Sequence, residues 1–94
     1  MKLVALYRPD SEFSRNVEDF LRELRKAHEI GDEQLRIIDY DSREGTDMAM
    51  TYGITNQPAM IIIDDNGGYI KHWEGNELPL QDEVTSYVYG EFET

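Results

Sequence analysis

Apolar positions along this chain recur in two rhythms, one of alternating or continuous runs and one of three- and four-residue steps. Lys2 to Tyr7 is a short apolar run, the length of one strand, and Arg8-Pro9-Asp10 ends it. Phe13, Val17, Phe20, Leu21, Leu24 and Ala27 then mark one face of a helix about four turns long. Its opposite face carries Arg15, Glu18, Asp19, Arg22, Glu23, Arg25 and Lys26. Ser11 is a suitable N-cap for this helix, with Glu12 in the first turn beside the positive end of the helix dipole. Glu18 and Arg22 stand at i,i+4 spacing, an arrangement worth about 0.2–0.5 kcal/mol.

Beyond a loop at Ile30 to Glu33, Leu35 to Tyr40 reads as a second strand. Asp41-Ser42-Arg43-Glu44 has the form of a capping box and opens a short helix running through Tyr52, with Gly53 just past its end. On that helix Met48 and Tyr52 share a face directed at the core, and Met50 faces solvent. Pro58 has no N–H to give a sheet ladder, so it belongs at the threshold of the run Ala59 to Ile63. Asp65-Asn66-Gly67-Gly68 is hairpin-turn chemistry, and Tyr69 to Trp73 returns antiparallel. Trp73 is expected beneath a helix. Asn76 to Pro79 starts the last helix, with Pro79 in its first turn and Leu80, Val84, Tyr87 and Val88 as its buried stripe. Glu91 to Thr94 is expected to fray.

The order is β-α-β-α-β-β-α. A helix between the first two strands makes them parallel through a right-handed crossover, and the hairpin adds an antiparallel pair. This is an α/β domain with a mixed four-stranded sheet and helices on both faces. All 94 residues fit one small domain.

Composition narrows the chemistry. Zero cysteines exclude disulfides, thiol catalysis and thiolate metal sites. The net charge of −11 is uneven. Residues 1–43 hold ten acids against eight bases, whereas residues 44–94 hold ten acids and one base, Lys71. Such a surface repels phosphate backbones, so nucleic acid is not an expected partner; the charge serves solubility or, as the sharper alternative, a basic protein partner. No stretch approaches the roughly 20 apolar residues of a membrane span, and the N-terminal run reads as a strand, not a signal peptide. A membrane partner is not expected either; the expected location is the cytoplasm. His28 and His72 have no partners at metal-ligand spacing, and Asp64-Asp65-Asn66-Gly67 lacks the length and closing Glu of a calcium loop. No cofactor is implied.

Tyr52-Gly53-Ile54-Thr55-Asn56-Gln57-Pro58-Ala59 resembles the thioredoxin segment Tyr-Gly-Ile-x-x-x-Pro-Thr, whose proline is cis. The turn Asp65 to Gly68 and the later Gly75 match the hairpin of that family. Leu6 to Arg15 is similar to a glutaredoxin active-site strand and helix start. The resemblance implies a thioredoxin-like fold over about residues 2–90. It also sets the family's Cys-x-x-Cys on Ser11-Glu12-Phe13-Ser14. A helix start lowers a thiol's pKa from about 8.5 toward about 3.5–7.5, and a serine hydroxyl offers nothing comparable. The chain as written therefore exchanges no disulfides. The alternative is an oxidoreductase carrying Cys→Ser changes at both positions, and a weaker alternative is a glutathione-binding enzyme.

The resemblance further implies that the residue before the proline, Gln57, offers its backbone to an extended peptide in strand-like pairing. The candidate binding residues are Arg8, Ser11, Glu12, Phe13, Ser14, Arg15, Asn56, Gln57 and Pro58, with no catalytic residue. Ser11 and the first-turn N–H groups are a second candidate, for an anion, with Arg8 and Arg15 flanking it. The expected protein is a redox-inactive binding or assembly module for a protein or extended peptide, as a monomer or weak homodimer.

Overall fold

A computed structural model describes residues 1–75 and 78–90. The elements are β1 (Lys2–Tyr7), α1 (Ser14–Ala27), β2 (Leu35–Asp39), α2 (Arg43–Tyr52), β3 (Ala59–Ile63), β4 (Tyr69–Glu74) and α3 (Gln81–Val88). The strands form one sheet in the order β2-β1-β3-β4. β1 and β2 run parallel, pairing Leu3 with Leu35 and Tyr7 with Asp39. β3 lies antiparallel to both β1 and β4.

The two inner strands are buried on both faces, which is why they read as continuous apolar runs. Leu3, Ala5, Tyr7, Met60 and Ile62 meet Val17, Phe20, Leu21 and Leu24 of α1 and Val84 and Val88 of α3. Val4, Leu6, Ile61 and Ile63 meet Ala49 of α2 on the other side. Met48 and Tyr52 pack partly buried against this second layer, and Met50 is exposed. Trp73 of β4 lies under α3, edge-on to Tyr87 with ring centroids 6.1 Å apart. Gly53 ends α2 in the left-handed conformation at φ 71°.

Several local expectations are corrected. α1 begins at Ser14, not near Ser11, because two tight turns come first: the Ser11 N–H donates to Arg8 C=O and the Ser14 N–H to Ser11 C=O. Phe13 occupies the cap position without a side-chain cap bond, and the Ser11 hydroxyl points inward. Glu12 therefore precedes the helix. The Glu18–Arg22 pair does not form, since Glu18 accepts the Tyr7 hydroxyl at 3.2 Å and Arg22 pairs with Asp19 at 2.7 Å. Ser42, not Asp41, caps α2, its Oγ accepting the Gly45 N–H at 2.9 Å, while Glu44 turns to Arg36. α3 starts at Gln81, after Pro79, with Leu80 exposed. Leu78 packs partly buried against the core and Pro79 is buried, which leaves Leu80 outside. The start expected at Asn76 and Glu77 and the fraying expected at Glu91 to Thr94 lie outside the described residues.

Candidate functional site

Parallel pairing brings the C-terminal ends of β1 and β2 side by side, and the chain leaving β1 turns there into the Arg8–Phe13 segment. Ends of parallel strands are where α/β sheets expose side chains to a crevice. A cleft of about 430 Å³ opens at this point, lined by Arg8, Pro9, Asp10, Ser11, Glu12, Phe13, Asp39, Asp41 and Gln57. Gln57 arrives from the loop before β3, and its Oε1 accepts the Arg8 N–H at 3.0 Å. One hydrogen bond thus joins segments 49 residues apart at the cleft.

Of the sequence candidates, Arg8, Ser11, Glu12, Phe13 and Gln57 meet in the cleft. Ser14, Arg15, Asn56 and Pro58 do not line it. Pro58 is fully buried behind it, the Gln57–Pro58 bond is cis, and the Pro58 C=O accepts the Gly75 N–H at 2.9 Å. Arg8 is committed elsewhere: its Nε reaches both Asp41 oxygens at 2.8 and 3.0 Å, and its guanidinium lies 5.2 Å from the Tyr40 ring centre.

Charge decides which ligand suits the cleft. Asp10, Glu12, Asp39 and Asp41 face one guanidinium, Arg8, which Asp41 already neutralises. Three carboxylates stay unmatched, so an anion at Ser11 is disfavoured, and α1 presents its first turn only from Ser14 onward. Arg15 is exposed and lies outside the cleft, so no pair of arginines completes an acid-binding pocket. The Ser11 Oγ is buried and has no hydrogen-bond partner among the described residues.

Gln57 has a second property. Its own N–H and C=O make no hydrogen bond to any described residue, while its neighbours are held. The Glu74 carboxylate accepts the Thr55 and Asn56 N–H groups at 3.1 and 3.0 Å and the Thr55 hydroxyl at 3.2 Å. Its other oxygen meets His72 Nε2 at 2.7 Å, and His72 Nδ1 meets the Tyr69 hydroxyl at 2.8 Å. Glu74 sits below the usual carboxylate range, chiefly through the His72 bond and then the Thr55 and Asn56 N–H groups, against an opposing effect of burial. Tyr7, by contrast, is pushed up to about 12 by burial and then by the neighbouring Glu18.

Sequence reasoning missed Pro9, Asp10, Asp39 and Asp41 at the cleft and Glu74 behind it. A signal existed for Asp39 and Asp41, since each falls at or just past the end of a strand predicted parallel to β1. Glu74 gave none, because its contacts lie 18 and 19 residues away. The histidines form no metal group among the described residues. Along α2 a larger, shallower hollow of about 560 Å³ presents Arg43, Glu44, Asp47, Met48, Thr51 and Tyr52, all from one helix. Among the described residues, no polar group from a second element lines it. No helix among the described residues is long and apolar enough to cross a membrane.

No protein-family model and no curated protein matches the sequence. Solved structures do match. Thioredoxin 1 from the thermophilic eubacterium Thermosipho africanus is similar at a TM-score of 0.64 and 18% identity, over 96% of this chain and 92% of that one. Thioredoxin from Fasciola hepatica gives 0.65 and 20%, over 95% and 78%. Mitochondrial thioredoxin 3 from Saccharomyces cerevisiae, in its oxidised form, gives 0.61 and 17%, over 94% and 76%. The chain has the thioredoxin-like fold, an α/β architecture with a mixed four-stranded sheet, and it carries no cysteine.

Proposed function

We propose that this thioredoxin-fold domain is a redox-inactive binding module that takes an extended, basic protein segment along the cleft between the Arg8–Phe13 turn and Gln57. The observation that carries this reading is that the Gln57 N–H and C=O bond to no described residue, at the margin of a cleft with three unmatched carboxylates. A free N–H and C=O on one residue are what an extended chain needs to add itself in strand-like fashion, and lysine or arginine side chains meet the carboxylates. Glutathione suits the cleft poorly, since its carboxylates outnumber its amine. Without a thiol the domain performs no disulfide exchange, and a non-catalytic role in the cytoplasm as a monomer or weak homodimer fits a cysteine-free acidic chain.

Calorimetry with a lysine-rich decapeptide and a glutamate-rich one of equal length tests this. The basic peptide binds, and its affinity falls as salt rises from about 50 to about 200 mM, because screening weakens exposed charge pairs. Heat from both peptides alike, or from neither at millimolar concentration, overturns the reading.

One observation favours a second reading. A buried position without a hydrogen-bond partner suits a weakly bonding sulfur better than a hydroxyl, and Ser11 occupies such a position. This supports an oxidoreductase frame in which Ser11 and Ser14 stand for cysteines. Codons 11 and 14 of the natural gene distinguish the two.

A further inference from the structure

Loop 54–58 is held unevenly. Thr55 and Asn56 are fixed through their N–H groups to the Glu74 carboxylate, Pro58 is fixed through its C=O to the Gly75 N–H, and Gln57 between them keeps its backbone open. Both anchors come from the end of one edge strand, β4. Glu74 is in turn held by His72, and His72 by Tyr69, so three side chains on the α2 side of β4 form a continuous chain of hydrogen bonds ending on the loop. With Glu74 ionised, the tautomer that satisfies both contacts has Nε2–H donating to Glu74 and Nδ1 accepting from Tyr69. The His72 and Glu74 side chains are each about four-fifths buried, and Tyr69 at the outer end of the chain is half exposed. The Tyr52 ring of α2 stacks at a tilt beside Tyr69, 6.1 Å between centres, and the Tyr52 hydroxyl is tied to the Gly67 C=O. This gives the chain support from a second element.

We propose that Glu74 is the positioning residue of the peptide cleft: its carboxylate, oriented by the Tyr69–His72 pair, pre-forms the loop so that the Gln57 N–H and C=O face an incoming strand. The assignment rests on the cleft reading above and adds the residue that controls it. Pre-organisation of this kind raises affinity by removing the cost of ordering the loop at the moment of binding. Glu74 touches no ligand in this scheme and lies outside the cleft lining.

Two readouts on Glu74→Ala and Glu74→Gln test it. The first is amide hydrogen exchange. In Glu74→Ala the Thr55 and Asn56 amides exchange about tenfold faster or more, while β1 and β3 amides keep their protection, because only a local opening has been eased. Glu74→Gln retains one acceptor oxygen and restores part of the protection. The second is the affinity of the lysine-rich decapeptide, which drops about five- to tenfold in Glu74→Ala and recovers partly in Glu74→Gln. Unchanged exchange at Thr55 and Asn56 overturns the positioning role. So does a uniform loss of protection across the sheet, which marks a plain stability defect. If the wild type ignores the peptide but the exchange pattern appears, the cleft reading fails and the loop clamp stands. If the peptide binds the wild type and Glu74→Ala equally, the clamp has no part in binding.

Discussion

Gly45 sits in the first turn of α2, where the helix packs onto the end of β2. Its hydrogen faces backbone: a Cβ added there falls inside the contact distance of the Asp39 carbonyl oxygen and stands 3.0 Å from the Tyr40 carbonyl oxygen. Gly45→Ala therefore sets two effects against each other. Alanine is the better helix former by about 1 kcal/mol. Against that, the wall it meets is backbone and does not rotate away. Either the helix start lifts, weakening the Ser42 cap worth about 0.5–2 kcal/mol, or β2 moves, straining the Tyr40 N–H to Tyr7 C=O bond at its end. Overpacking of this kind costs about 1–3 kcal/mol in addition. Steric cost wins, and the net is a loss of about 2 kcal/mol, or a Tm lower by roughly 8–16 °C for a domain of this size. Urea melts of wild type and variant, followed by Trp73 fluorescence and by circular dichroism, give the difference at fixed m. A variant as stable as the wild type, or more so, refutes the packing argument and would leave helix propensity as the controlling term.

Other outcomes follow from the same contacts. Ser11→Ala removes a buried hydroxyl without a protein partner, so it stabilises by about 1 kcal/mol, since leaving such a group unpaired costs about 1–3 kcal/mol; a matching loss in a urea melt counts against the inward placement. Tyr7 titrates near 12 in the folded protein and near 10 unfolded, so its stabilising effect is complete below pH 10 and fades between pH 10 and 12. Difference absorbance of wild type against Tyr7→Phe reads this, and a phenol ionising near 10 in the folded state contradicts it. Glu74 shifts the other way: its depressed pKa stabilises the fold above the unfolded carboxylate value and is lost as pH falls through the folded one. Acid unfolding of Glu74→Gln is accordingly less steep than that of wild type.

The large features of the fold were legible because each has a pattern that tertiary contacts reinforce. The unbroken run Ala59 to Ile63 marks a strand buried on both faces, and the stripe from Val17 to Leu24 marks the one face α1 buries. Gly53 ends α2 as its conformational freedom allows. The helix starts were less legible, because capping depends on which turn closes first. Ser11 has the chemistry of a cap, yet two preceding turns carry its hydroxyl inward and delay α1 by three residues, to Ser14. Side-chain partners were the least legible. Glu18 had a suitable arginine at i,i+4, but a buried phenol from β1 holds it instead. At the cleft, the proline loop and the serine turn were visible locally; the acidity that Asp39 and Asp41 add arises only when β2 docks beside β1.

The central claim is that an extended basic segment binds between the Arg8–Phe13 turn and Gln57. Its most direct test is a nitrogen-15 NMR titration of the protein with the lysine-rich decapeptide. Shifts concentrated at Arg8, Ser11 to Phe13, Asp39, Asp41 and Gln57 are the predicted result. Shifts confined to the outer face of α2, or spread evenly over the acidic surface, contradict it.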